Sequence, residues 1–406
     1  MEQSTVEGEP TRAGLVEDWA IVESLLPEHW QSQARELGAF RRARGIADAR
    51  ALLQVMLIHL AEGCGLRETA ARAGLAGLAQ VSDVALLKRL RSCGAWFEWL
   101  AQRLRQAPEL QATPGLEAPS LLATRRLRVV DGSVVSEPGP TGSKWRLHYA
   151  IGLPDLQCQE VHLGRSSEGE TLKRFKVQAD DIFMADRGYA HPAGIAHVVD
   201  RAGDVIVRMN LVTLPLYAPL APGHGVGRLD VLARARTLHA GQVMGWPACV
   251  HPPLKSGAKT GKRDSKPAVV VGRLCAIRKS EAAAAKARDR VRRESQRNGT
   301  VIQPETLEAA GYVFVFTTLP EQHSATQVLE IYRLRWQIEL EFKRLKSLIA
   351  LGHLKKHDAQ AARSWMQGKL FVALLIARLI AHAERVSPWG YDISHIAHRP
   401  RALPVA

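Results

Sequence analysis

Residues 126–135 read RLRVVDGSVV, apolar side chains in alternation with an acid at the centre. N-terminal to this stretch the apolar residues recur with a helical rhythm. Here the period drops to two, the signature of a strand. The run WRLHYAIGL at 145–153 alternates in the same way, and CQEVHLGR at 158–165 follows within a few residues. Three consecutive antiparallel strands fit that spacing. A short helix around GETLKRFK (169–176) comes next, then the strand DIFMADRG (181–188). A helix from about His191 to Asp200 and the strand DVIVRMN (204–210) complete a βββαβαβ order.

That order is the one of an RNase H-like domain and equally of an ordinary α/β arrangement, so the flanking sequence has to be weighed with it. Upstream, residues 17–105 read as an all-helical domain. DARALLQVMLIHLAEGCG (48–65) has apolar residues at helical spacing and is ended by Gly63 and Gly65. LRETAARAGLAGLAQVSDVALLKRLR (66–91) reads as helix, Gly-rich turn, helix, with Ser82 or Asp83 as the cap of the second. This is either a helix-turn-helix that binds DNA or plain helical packing. The polar segment 1–16 is expected to be disordered, and 106–126, with three prolines, is expected to be a linker.

Downstream of the core pattern at 127–209, residues 210–311 break the rhythm and read as a basic, β-rich insertion. LHAGQVMGWPACV and PAVVVGRLCAIR are its strand-like pieces, and EAAAAKARDRVRRESQR is its Arg-rich helix. The core resumes at 312–350 with the buried strand YVFVFTTLP. A long helix follows, capped by Ser324 or Thr326 and carrying YRLRWQIELEFKRLK (332–346). Residues 351–406 form a C-terminal helical region. Its most apolar run, LFVALLIARLIAHA (370–383), is interrupted by Arg378 and reads as a buried helix too short for a bilayer.

The 406 residues carry 55 Lys plus Arg against 40 Asp plus Glu, a net +15 that favours a polyanionic partner, nucleic acid first. Residues 251–300 hold fourteen Lys/Arg and four Asp/Glu. Five scattered cysteines without a CxxC pair point to free thiols in a reducing compartment, with no zinc site and no disulfide framework. MEQSTVEGEPTRAG is too polar and acidic for a signal peptide, so the expected location is the cytoplasm, the nucleoid included. The segment KTGKR (259–263) resembles a phosphate loop, but its glycines are misplaced and no Ser or Thr follows Lys262.

Three acids stand out. Asp131 in RVVDGS and Asp186 in FMADRGY each end a hydrophobic strand, where an acid either forms a turn or meets a ligand at the exposed end of a sheet. Glu339 lies on the helix after the last strand. Three carboxylates converging there make a hard, oxygen-rich site suited to Mg²⁺ or Mn²⁺. At about 100° per residue, Tyr332, Arg335, Glu339 and Lys346 share one helix face, whereas Glu341 points elsewhere. His148 and His162, in the second and third strands, read as ordinary sheet histidines.

On these residues the chain resembles DDE transposases of bacterial insertion sequences, in the branch called insertion sequence four. YRLRWQIELEFKRLK matches that branch's Tyr-x2-Arg-x3-Glu-x6-Lys signature. VVDGS and ADRGY are similar to its two aspartate motifs, and the helical region around VSDVALLKRLRSCGAWFEWL is similar to its N-terminus. The resemblance runs from about residue 17 to 386. It implies an RNase H-like core interrupted by a β-rich insertion. It also implies a metal-binding catalytic triad of Asp131, Asp186 and Glu339 with two divalent ions, and phosphate contacts from Tyr332, Arg335 and Lys346. Trp246, the only tryptophan between Trp145 and Trp336, is the candidate for stacking on a flipped base or else packs in a turn. The implied partners are double-stranded DNA, at the transposon ends and at the target, and a second copy of the chain in the synaptic complex. No membrane is implied. The rival readings are an RNase H-like nuclease without strand transfer and a catalytically silent, transposase-derived DNA-binding protein.

Overall fold

The computed structural model describes residues 19–106, 125–136, 144–154, 156–165, 167–219, 226–252, 268–351, 354 and 358–386. The expected disordered segment 1–16, most of the linker at 106–126, the KTGKR segment and the last twenty residues lie outside them. The chain forms two compact units: Met1–Pro114 with Val135–Lys144 and Lys343–Ala406, and Gly115–Val134 with Trp145–Phe342.

The first unit is helical. Its described helices are α1 (Trp30–Glu36), α2 (Ala49–Leu60), α3 (Leu66–Leu75), α4 (Asp83–Ser92) and α5 (Gly94–Arg105), with Ala359–Val386 near the C-terminus. Asp48 caps α2 by accepting the Ala51 N–H, and Ser82, not Asp83, caps α4 by accepting the Ala85 N–H. Asp83 instead pairs with Arg67 of α3 at 3.2 Å. Trp96 stacks between Trp30 and Phe97, and Phe97 stacks on Phe371 with ring centroids 6.1 Å apart. These rings seat the C-terminal helix against α5.

The apolar run 370–383 is therefore only part of a 28-residue helix. By length and composition Ala359–Ala383 is long and apolar enough to cross a bilayer, so the expectation that it was too short does not hold. What marks it as a core helix is packing. Ala361, Trp365, Met366, Leu370, Phe371, Leu374 and Leu375 are buried in the unit, and Lys369 donates to the Leu60 carbonyl.

The second unit is built on a ten-stranded mixed sheet in the order β3-β2-β1-β4-β5-β10-β9-β8-β6-β7. The strands are β1 (Arg126–Ser136), β2 (Lys144–Leu153), β3 (Cys158–Arg165), β4 (Asp181–Ala185), β5 (Asp204–Arg208), β6 (Tyr217–Pro219), β7 (Val226–Arg228), β8 (Val243–Val250), β9 (Val270–Arg278) and β10 (Tyr312–Thr317). β1, β4 and β5 run parallel, and β2 and β3 pair antiparallel. β4 is buried along its whole length, as a central parallel strand covered on both faces must be. The strands of 217–278 do not form a sheet of their own. β9 pairs with β10, and β8, β6 and β7 extend the same sheet outward.

The helices of this unit are α6 (Pro192–Val199), α7 (Val231–Arg236), α8 (Glu281–Asn298), α9 (Pro304–Ala309), α10 (Ala325–Arg333) and α11 (Trp336–Leu348), which continues into the first unit; the C-terminal Ala359–Val386 is α12. One hydrophobic cluster runs under the sheet through Val130, Phe183, Ile195, Val207, Leu274 and Phe316. Beneath β1, Arg128 is buried between Glu160 at 2.6 Å and Asp181 at 3.4 Å, its guanidinium 4.7 Å from the centre of the Phe183 ring. A cation buried this deeply is tolerated because both partners and the ring answer its charge.

Two local expectations are corrected. GETLKRFK yields only a 3-10 turn at Leu172–Arg174, because the chain returns at once to extended backbone at Phe175. The single long helix at 325–348 is broken. Ser324 caps α10 in a capping box with Gln327, but α10 stops at Arg333 and α11 restarts at Trp336. At the junction the N–H groups of Leu334, Arg335, Gln337 and Ile338 bond carbonyls three residues back, not four, which tightens the turn.

Candidate active site

The register of β1 on β4 brings two of the three acids together. Val130 pairs with Ala185, so Asp131 and Asp186 follow directly on adjacent parallel strands, about 5 Å apart in the pairing direction. Asp186 lies just past β4, as expected. Asp131 does not end its strand: β1 runs five residues further, to Ser136. Each carboxylate is oriented by a glycine close behind it. Asp131 Oδ1 accepts the Gly132 N–H at 2.7 Å, and Asp186 Oδ1 accepts the Gly188 N–H at 2.8 Å. Burial, and then the Asp186 charge, push the Asp131 carboxyl up to about 7, against the Gly132 N–H and the Arg335 guanidinium.

The third acid reaches the pair through an arginine. Arg335, in the turn between α10 and α11, donates to Glu339 Oε1 one helical turn on and lies 3.8 Å from Asp131 Oδ2. Its side chain is 15% exposed and that of Glu339 52%, so the arginine is inside the site and the glutamate at its mouth. The Arg335 guanidinium carbon stands 5.9 Å from the centre of the Tyr332 ring. Tyr332 itself is buried, and burial pushes its hydroxyl up to about 12 with Arg335 opposing. Lys346 is exposed on α11 two turns beyond Glu339, on the same side of that helix and about 10 Å along it.

Trp246 is elsewhere in the sheet. It lies mid-strand on β8 opposite Leu274 and packs partly against the hydrophobic cluster, not in a turn. Four strand steps separate β8 from β4, about 19 Å at ordinary spacing. His148 is buried and bonded through Nδ1 to the Tyr189 hydroxyl at 2.8 Å. Burial, with Arg174 and Arg146 adding, pulls it down to about 4, so it is neutral near pH 7. His162 bonds Glu160. All five cysteines are buried and free.

A fourth acid was not legible in the sequence. Glu170, between β3 and the 3-10 turn, pairs with Arg146 of β2 at 3.0 Å and lies against Gly132 and Gly188. No periodicity or motif marks it; only the folded chain brings it to the aspartates.

Residues 123–375 match the family described as the transposase DDE domain. The chain belongs to the DDE transposase family. It is 36% identical over 375 residues to the putative transposase InsL for insertion sequence element IS186A of Escherichia coli K12, covering 90% of this chain and 94% of the relative. The transposase for insertion sequence element IS421 of Escherichia coli is 36% identical over 376 residues, with the same coverage. The transposase for element IS1151 of Clostridium perfringens is 22% identical over 254 residues, 59% of this chain and 51% of the relative.

Enzymes of this family act on DNA and depend on divalent metal. Asp131 and Asp186 offer hard carboxylate oxygens of the kind such an ion takes, and burial, then the Asp186 charge, holds the Asp131 proton to about neutral pH. Among the described residues, no three acid, histidine or cysteine side chains are drawn close enough to hold one ion. Arg335 supplies positive charge between Asp131 and Glu339.

Proposed function

We propose that the chain is an insertion-sequence transposase that cuts the ends of its own element and joins them to target DNA, with Asp131, Asp186 and Glu339 as its catalytic, metal-holding triad. The observation that carries this is the β1–β4 register, which sets Asp131 beside Asp186 while Arg335 ties Asp131 to Glu339. The strand order β3-β2-β1-β4-β5 with β1, β4 and β5 parallel supports an RNase H-like core. The spacing Tyr332, Arg335, Glu339, Lys346 supports the insertion-sequence-four branch.

The triad would hold two Mg²⁺ or Mn²⁺ ions. When bound, they supply the charge that lets water attack a phosphodiester at neutral pH and that stabilises the departing oxygen. Asp131, raised to about 7, would hold an ion in its deprotonated form. Arg335 exchanges its carboxylate partners for the scissile phosphate, which a guanidinium can grip with two parallel hydrogen bonds. Lys346, further along α11, would hold a neighbouring phosphate as a point charge. Attack by water frees a 3′-hydroxyl. That hydroxyl attacks target DNA in a second in-line displacement, with no covalent enzyme intermediate. Two ends must be joined, so the working form is a dimer on paired ends in the nucleoid. Trp246 would reach a base only where the DNA runs across the sheet from the acids to β8.

The experiment is incubation of the purified chain with a supercoiled plasmid bearing the element ends and Mg²⁺. Joined products support the transposase. Cut but never joined ends would leave a nuclease, and binding without cutting would leave a silent DNA-binding relative.

A further inference from the structure

We propose that Glu170 is the positioning residue that fixes the Asp131 segment of β1 and the Asp186 turn relative to each other. The proposal rests on the reading of those two aspartates as the metal-holding pair. A Cβ placed on Gly188 would overlap Glu170 Oε2 and fall 3.1 Å from Asp186 Oδ1. A Cβ placed on Gly132 would fall 2.8 Å from Glu170 Oε1 and 3.3 Å from the Tyr189 hydroxyl. One carboxylate therefore fills the space that a side chain at either position would need. The same two glycines donate the N–H groups that orient Asp131 and Asp186. Glu170 is seated on the peptides that aim both aspartates, from a segment belonging to neither strand.

Arg146 keeps it there. The pair is 3.0 Å apart, with side chains only 21% and 22% exposed, so the contact is shielded from solvent. Arg146 comes from β2, the neighbour of β1 in the sheet, so the carboxylate is braced from a third strand. A plain ion pair with Arg146 would account for that contact alone. It would not require glycine one residue after Asp131 and again two residues after Asp186. Groups that hold metal ligands from behind change metal affinity by about 10–100-fold when they are removed. That is the size of effect to look for.

The test is Mn²⁺ titration of the full-length, DNA-free protein by calorimetry, with melting temperature and end-DNA binding in EDTA measured alongside. Glu170→Gln keeps the shape and removes the charge. Gly188→Ala leaves Glu170 intact but denies it its seat. Both should weaken Mn²⁺ binding about 10–100-fold, with DNA binding in EDTA and, for Glu170→Gln, the melting temperature kept. Mn²⁺ affinity at the wild-type level in Glu170→Gln would overturn the proposal. So would a loss fully matched by a fall in melting temperature, which would make Glu170 a stabilising partner of Arg146 and nothing more. If the wild-type protein itself takes up no Mn²⁺, the metal reading of Asp131 and Asp186 falls first and this inference with it.

Discussion

The Arg335 guanidinium lies 3.8 Å from the Asp131 carboxylate while also donating to Glu339. The arginine answers part of the negative charge that a bound divalent ion would meet. Removing it should help metal and hurt catalysis at once. Arg335→Gln is expected to bind Mn²⁺ roughly 5- to 10-fold more tightly in calorimetry without DNA, the scale of a partly exposed ion pair. The same variant should cleave element ends on the order of a hundredfold more slowly under single-turnover conditions, since the phosphate loses its clamp. Arg335→Lys keeps the charge but not the paired hydrogen bonds, and should also cleave slowly. The exposed Arg333→Lys, two residues earlier, serves as the control.

The raised Asp131 carboxyl makes stability depend on pH. Its value goes from 3.8 in the unfolded chain to about 7 in the fold, so between those limits the folded state binds more protons than the unfolded one. Stability contributed by the protonated form is complete below pH 4, declines as pH rises, and is gone above pH 7. Asp131→Asn removes the dependence. In urea melts without divalent ions, the variant should match wild type near pH 4 and exceed it by about 1–3 kcal/mol at pH 8. Mg²⁺ should then raise the stability of wild type and leave Asp131→Asn nearly unchanged.

How much of this was legible in the sequence follows from the range of each signal. CQEVHLGR at 158–165 corresponds residue for residue to β3, and DIFMADRG and DVIVRMN contain β4 and β5, because alternation and β-branched runs are local. The acids at 131 and 186 stood out for the same reason. Glu170 did not, because its seat is made by two glycines 38 residues or fewer away and by Arg146 on another strand, none of which is a local pattern. The break at Leu334–Arg335 was equally hidden. The helical period of 325–348 is unbroken, with no Gly or Pro to announce a stop. That β9 joins β10 was hidden as well, because pairing depends on what the edge of β10 has available and not on either strand alone.

The Arg-rich helix α8 presents a basic face. It is capped by Ser280 and by Gly299 in the left-handed conformation, and only Ala284 and Ser295 are buried. Lys286, Arg290, Arg293 and Arg297 are exposed and fall within about 60° of one another around it, over roughly 16 Å of axis. Changing all four to Gln should flatten the log–log dependence of DNA affinity on salt by about 0.9 for each phosphate no longer neutralised, roughly two to three units if the face meets three phosphates. An unchanged slope in filter-binding titrations would take α8 off the DNA path.

The most direct test of the triad is end cleavage by its variants at fixed DNA occupancy. Asp131→Asn, Asp186→Asn and Glu339→Gln are each mixed with labelled element ends at a concentration that saturates binding in EDTA, and Mg²⁺ starts the reaction. Every variant is expected to bind the ends within a few-fold of wild type and to cleave them at least about a thousandfold more slowly, since each loses a charge that holds the metal and not the DNA. Cleavage near the wild-type rate by any one of the three would remove that residue from the site, and by two of them would contradict the assignment of this sheet edge as the place where DNA is cut.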